Sequence, residues 1–160
     1  EALHSSAARY GIVGSAPLME NIATLIDPPA STLDEAEWLA QIIHGAHVPL
    51  LLDLHNLYAN AVNFGAAPEQ LLLRLPLDRV GAVHLSGGHW IAAPGGGERL
   101  LDDHLHDVPP AVFDLLTVLA RHAPQPLTVI VERDGNYPSF DHVLGQLELA
   151  RAALRAGRSA

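Results

Sequence analysis

Leu50-Leu51-Leu52-Asp53-Leu54-His55-Asn56 is an apolar run that stops abruptly in side chains able to bind a metal. An unbroken Leu/Val run bounded by turn residues reads as a strand covered on both faces, as in a parallel sheet flanked by helices. In such folds the carboxyl ends of the strands are where ligands and chemistry sit. Asp53, His55 and Asn56 stand at that end.

The same grammar, apolar strand, then acid or imidazole, then helix, recurs on both sides. Upstream, Pro17 to Ile22 reads as a short strand carrying Glu20, and residues 1–15 as the tail of a helix with a glycine-punctuated turn. Thr32 and Glu35 are spaced for a capping box before a helix over 33–45, whose Leu33, Ala36, Leu39, Ile42 and Ile43 share a face. The deciding strand runs from Val48 to Leu54. Asn56 to Phe64 then reads as an irregular segment or short helix, and Pro68 to Leu75 as a helix.

Val80 to Leu85 reads as the next strand, with His84 near its end, and Gly87, Gly88 and residues 94–97 as a flexible loop. Arg99 to Asp102 is apolar enough for a further strand, running into Asp103-His104-Leu105-His106. Asp107 is placed to cap a helix beginning at Val108-Pro109, with Val112, Leu115, Leu116 and Leu119 as its buried stripe. Leu127 to Val131 is a strand ending in Glu132-Arg133-Asp134. Ser139 caps a last helix bearing Val143, Leu147, Ala150 and Leu154 on one face, and Gly157 to Ala160 should fray.

Five β-α units predict a single parallel α/β domain over residues 1–160. A complete eight-unit barrel needs at least ~200 residues. The choice therefore lies between an open doubly wound sheet and a partial TIM-type barrel of about five strands.

Composition narrows the function. A net charge of -9, with nine Arg and no Lys, excludes a phosphate-backbone binder. No apolar stretch approaches the ~20 residues of a membrane span. Cys is absent, which removes disulfides and thiolate metal sites and leaves the cytosol as the default setting. Ten His beside three Phe, three Tyr and two Trp is a balance that metal chemistry asks for more often than core packing does.

The strand-end residues are Glu20, Asp53 with Asn56, His84, Asp102 with His104, and Glu132. Taken singly, such an acid is commonly a helix N-cap. His55, His89, His106 and His122 likewise read as surface or supporting groups, and His44 and His47 as residues that complement a helix dipole. The joint pattern carries more weight. Barrel strands would bring these ends to one mouth, where carboxylates without cations repel and raise each other's pKa. Bound metal resolves that conflict. Oxygen and imidazole donors without sulfur suit Fe(II), Mn(II) or Zn(II), and the donors outnumber the needs of one ion.

Five motifs then stand in order: Met19-Glu20-Asn21-Ile22; Leu51 to Tyr58 with Asn63-Phe64-Gly65; Val83-His84-Leu85-Ser86-Gly87; Leu101-Asp102-Asp103-His104 with Val108-Pro109; and Val131-Glu132-Arg133-Asp134 with Tyr137-Pro138. Together, from about residue 10 to 155, they resemble the multinuclear non-haem iron-dependent oxidative enzymes. That family, long catalogued as a domain of unknown function, has a xylose-isomerase-like TIM barrel; the resemblance covers its five C-terminal β-α units. It implies that Glu20, Asp53, Asn56, His84, Asp102, His104 and Glu132 ligate iron, with Glu20 bridging two ions. His55, Asn63, His89, His106 and Asp134 would support the ligands or touch substrate, and no catalytic residue is assigned.

The resemblance also implies a cluster of two or three irons, with Mn or Zn as alternatives, and O₂. The substrate would be a Cys or Asp of a ribosomally made precursor peptide, often presented by a partner protein. The family barrel begins with further β-α units carrying two more His ligands, whereas His4 is the one His upstream of Glu20 here. The ligand set and the barrel are therefore expected to be completed by a second chain, a second copy or a segment outside this sequence. Two other readings stand beside this one. A divalent-metal sugar isomerase or epimerase would need a proton shuttle, for which only Glu20 and Glu132 are placed. A non-catalytic barrel remnant serving as a binding module would keep its fold without metal.

Overall fold

Leu50 and Leu52 are fully buried while Leu51 between them is half-buried, so the deciding strand is packed on one face and partly open on the other. The computed structural model describes residues 17–26, 29–93 and 96–160; the helix tail expected over residues 1–15 lies outside them. In chain order the described elements are β1 (Met19–Glu20), α1 (Glu35–Ala46), β2 (Leu50–Asp53), α2 (Leu54–Phe64), α3 (Pro68–Leu73) and a 3₁₀ turn (Leu77–Arg79). β3 (Val80–Leu85), β4 (Gly88–Ala92), β5 (Glu98–Asp102), α4 (Pro110–His122), β6 (Val129–Val131) and α5 (Phe140–Arg158) follow.

Four strands form one parallel sheet in the order β1-β2-β3-β6. Helices and parallel sheet together give an α/β fold of the partial TIM-barrel type. Leu39 and Ile43 of α1, Leu57 of α2, Leu72 of α3 and Leu116 and Leu119 of α4 pack with Leu50, Leu52, Val83 and Leu85 into one core. Each such side chain stabilises the fold by about 1.5–3 kcal/mol relative to exposure.

The register explains the other face. Asp53 pairs with His84, His84 with Ile130, and Glu20 with Leu51. Residues two apart on a strand share a face. Glu20, Leu51, Asp53, His84, Ile130 and Glu132 therefore look the same way, opposite the helix-packed core. Ile130 is 45% exposed there, and among the described residues no further strand pairs with the outer edges of β1 and β6.

Arg99 to Asp102 does not join the parallel sheet. It lies in β5, which pairs antiparallel with β4 in a separate two-stranded ribbon, Gly88 opposite Asp102 and Ala92 opposite Glu98. Gly88–Ala92, within the stretch expected as a flexible loop, is thus strand, and among the described residues the parallel sheet has four strands where five were expected. A short apolar run carries no information about the direction of its partner, and here the partner is a local one.

Smaller differences have equally local causes. Asp34, not Thr32, caps α1, in a reciprocal box with Glu37. Asn56 to Phe64 belongs to a regular helix that starts at Leu54. Asp107 caps nothing: its carboxylate accepts from Arg133 at 3.1 Å and lies 2.8 Å from His142 Nε2, while Pro109 occupies the N-cap of α4. Ser139 caps α5 as expected, accepting from the His142 N–H. The end of α5 is ordered to Arg158. There Gly157 is buried so closely against α4 that an added Cβ would come 2.3 Å from the Thr117 carbonyl oxygen.

Candidate metal centre

β2 runs into α2 without a loop, so Asp53 is at once the last strand residue and the helix N-cap. Its Oδ1 accepts the Asn56 N–H at 2.7 Å, and its Oδ2 lies 3.4 Å from the Ser86 hydroxyl. The backbone of Asp53 is clamped by buried Asn21, which accepts from Asp53 N–H at 2.8 Å and donates to its carbonyl at 2.9 Å. Asn21 thus prolongs the β1–β2 ladder with a side chain. Asn56 is held in turn by donating its amide to the Asn21 carbonyl at 3.0 Å, which leaves its Oδ1 buried without a partner.

One donor atom each from Glu20, Asp53, His84 and Glu132 falls within 4.8 Å of the others, and a second group joins His104, Glu132 and Asp134 on the same terms. His84 Nδ1 is 2.8 Å from Glu132 Oε2 and 3.6 Å from Glu20 Oε1. His104 Nδ1 is 3.6 Å from the same Glu132 oxygen and 3.5 Å from Asp134 Oδ2. Glu132 is shared by both groups. It sits just beyond β6, where its N–H still donates to the Leu85 carbonyl and holds it beside β3.

Asp102 enters from the ribbon rather than from the parallel sheet. Its Oδ1 is 2.6 Å from His55 Nδ1 and 3.3 Å from Ser86 Oγ; its Oδ2 is 2.9 Å from His104 Nε2. It therefore spans fully buried His55 and His104, and belongs to neither donor group. His104 reaches its place through a left-handed backbone with φ of 55°, its N–H held by the Gly87 carbonyl.

Asn63 works elsewhere, exchanging hydrogen bonds of 2.9 and 2.8 Å with the backbone of Leu100 and so pinning β5 to α2. His89 and His106 face away from the mouth onto Asp103. Nothing in the sequence marks Asn21 or Ser86 for these roles, because a short polar side chain beside a strand end looks like any turn residue.

The electrostatics are those of an acid-rich pocket. Burial, opposed by the Asn56 N–H and reinforced by the Asp102 charge, pushes Asp53 up to about 6. His104 is penalised by burial, but the carboxylates of Asp102, Glu132 and Asp53 outweigh it and raise its pKa. Asn56 Oδ1, His84 Nδ1, His104 Nδ1 and Glu132 Oε2 are all buried without a hydrogen-bond partner. Buried polar atoms normally find partners. Four orphaned atoms of ligand type at one mouth fit cations bound between them. Beside them opens a cleft of about 400 Å³ whose lining combines the polar Glu20, Asn56, Asp102 and His104 with the apolar Ile22, Leu25 and Leu100.

The family model described as RiPP precursor modification enzyme MbnB/TglH/ChrH matches residues 9–155. A UPF0276 protein of Bordetella bronchiseptica is 37% identical over 146 residues, covering 91% of this chain and 50% of the relative. A UPF0276 protein of Caulobacter vibrioides is 34% identical over 141 residues, covering 88% of this chain and 48% of that one. One from Streptomyces avermitilis is 37% identical over 140 residues, 86% of this chain and 26% of the relative. The chain spans about half the length, or less, of the curated relatives it matches.

Proposed function

Because the chain belongs to the family of RiPP precursor modification enzymes MbnB/TglH/ChrH, we propose that it forms the metal-binding part of an iron- and O₂-dependent oxidase acting on ribosomally made precursor peptides. The observation that carries this reading is the pair of donor groups, the atoms of each within 4.8 Å of one another, which between them contain three of the orphaned atoms, His84 Nδ1, His104 Nδ1 and Glu132 Oε2. Glu20, Asp53, His84 and Glu132 would hold one ion, and His104, Glu132 and Asp134 a second, with Glu132 between them. Asn56 Oδ1 is free to join the first. Asp102 supports the centre by orienting His104 and His55, the hydrogen-bonded arrangement that fixes a ligating imidazole.

Iron bound there supplies one-electron chemistry toward O₂ and a Lewis-acidic seat for a substrate thiolate or carboxylate. Any such thiolate comes from the peptide, since the chain has no Cys. The cleft, lined by acidic residues together with Ile22 and Leu25, would offer the peptide a side-chain slot beside the donors. Ser86 and Asn21 hold Asp53 in position, so the donor can bind without moving the strand. A peptide-presenting partner protein, and a second chain, a second copy or a segment outside this sequence that extends the sheet past β1 and β6, complete the proposed assembly, in the cytosol.

The sugar-isomerase alternative gains nothing from the arrangement, because Glu20 and Glu132 both face His84 inside the donor group. Anaerobic reconstitution with Fe(II), followed by elemental counting and Mössbauer spectra, tests the proposal. More than one iron per chain, lost on Asp53→Ala with the fold retained, is expected. A folded chain that takes up no iron at saturating Fe(II) overturns it.

A further inference from the structure

A second cluster of donors lies outside the mouth. On passing the end of β5 the chain alternates: Asp102 and His104 turn toward the donor groups described above, and Asp103 turns the other way. There Asp103 Oδ2 is 2.6 Å from His89 Nδ1 and Asp103 Oδ1 is 3.0 Å from His106 Nδ1. The two imidazole rings are 4.9 Å apart between centroids. Asp103 is largely covered, at 11% side-chain exposure, while His89 and His106 are 43% and 45% exposed.

We infer that His89, Asp103 and His106 form a separate binding site for a borderline divalent cation such as Zn²⁺, on the outer side of the β4–β5 ribbon. Two imidazole nitrogens and one carboxylate oxygen, with the remaining positions left to water, are a donor set that such an ion takes readily. The spacing suits it. Tetrahedral ligands at about 2.0–2.1 Å from zinc stand about 3.3 Å from one another. The separations of 2.6 Å (His89 Nδ1 to Asp103 Oδ2) and 3.0 Å (His106 Nδ1 to Asp103 Oδ1) run to different oxygens of one carboxylate and would open by about 0.7 and 0.3 Å, and both imidazoles stand at the surface, where they can yield.

The scaffold beneath is already fixed. His89 is paired opposite Leu101 in the ribbon, and Asp103 Oδ1 accepts the Leu105 N–H at 2.9 Å, which sets the turn that brings His106 back. Binding would replace the two imidazole–carboxylate contacts with bonds to one ion, each neutral ring carrying its proton on Nε2, and tie β4 to the 103–106 turn. That turn carries His104 on its other face, so the outer ion would stiffen the support of the mouth without entering it. The inference does not depend on iron at the mouth, because no residue is common to the two clusters.

The test is a titration of the full chain with Zn²⁺, following the imidazole nitrogens by long-range ¹H–¹⁵N NMR and the stoichiometry by native mass spectrometry. His89 and His106 Nδ1 should shift together and saturate together. They should do so equally in an His84→Gln/Glu132→Gln chain, where the mouth is disabled. His106→Gln should weaken that response by about tenfold or more. Unmoved His89 and His106 signals at saturating Zn²⁺ in the unaltered chain overturn the inference, whatever the signals of His84 and His104 do. So does a Zn²⁺ response of unchanged affinity when His89→Gln and His106→Gln are added to the His84→Gln/Glu132→Gln chain and the chain stays folded.

Discussion

His84 Nδ1 and Glu132 Oε2 lie 2.8 Å apart on neighbouring strand ends, yet neither atom has a hydrogen-bond partner. Two groups that could pair but are not aligned to do so are arranged for a third participant. Glu132→Gln should therefore lower Fe(II) or Zn²⁺ affinity by more than the ~10–100-fold typical of a residue one step removed from a metal. It should leave the melting temperature of the metal-free chain unchanged or higher, since one acid leaves a crowded pocket. Metal titration by calorimetry and a thermal melt in chelator read both effects.

His55 tests the layer behind. It is fully buried with Nδ1 2.6 Å from Asp102 Oδ1, and it touches neither donor group. His55→Ala should cost metal affinity about 10–100-fold through the freed Asp102 and His104. It should also destabilise the chain by about 1–3 kcal/mol, because Asp102 loses a partner in a part-buried place. Loss of stability alone, with metal affinity intact, would show that the His55–Asp102 contact has no part in positioning His104.

Gly88 is required by contact. A Cβ there would meet the Leu101 carbonyl oxygen at 1.9 Å and His55 Cε1 at 2.7 Å. Gly88→Ala should destabilise by about 1–3 kcal/mol and push the ribbon off His55. Gly145→Ala, within α5 and with nothing within 4 Å of the new Cβ, is the contrasting change and should stabilise by up to about 1 kcal/mol. Urea denaturation of the two variants should move in opposite directions.

Asp34 supplies the pH prediction. The Glu37 N–H hydrogen bond and then Arg74 hold its carboxyl below the ordinary value of 3.8. A depressed carboxylate contributes stability that is present above the unfolded pKa and lost as pH falls through the folded one. Asp34→Ala should cost about 0.5–2 kcal/mol at pH 7. The gap to the unaltered chain should close as pH drops below 3.8. Most of it belongs to the cap, because the Asp34–Arg74 pair is about half exposed on both sides and screened.

The parallel grammar was legible because it is local: an apolar run, a polar stop, a helix. Leu50 to Asp53 and Val80 to Leu85 are strands for that reason, and their register then brings Asp53 beside His84. The β4–β5 ribbon was not legible, since antiparallel pairing depends on a partner and not on the run itself. His55 shows the same limit. It looks like a surface residue in an eleven-residue helix, but its environment is made by Asp102, forty-seven residues further on. Asp103 does not stand out beside its neighbours in the sequence, because its partners, His89 and His106, converge on it only once the ribbon folds.

The ribbon has a consequence for how this chain can change. Among the described residues β4 and β5 pair as strands only with each other, so the registers that fix Glu20, Asp53, His84 and Glu132 owe nothing to that arm. Insertions or deletions near its tip would re-aim Asp102 and His104 while the foundation stayed in place. Such an arm is a tool mount on a fixed bench: the reach and shape of the mouth can be retooled in one loop, with no strand re-threaded.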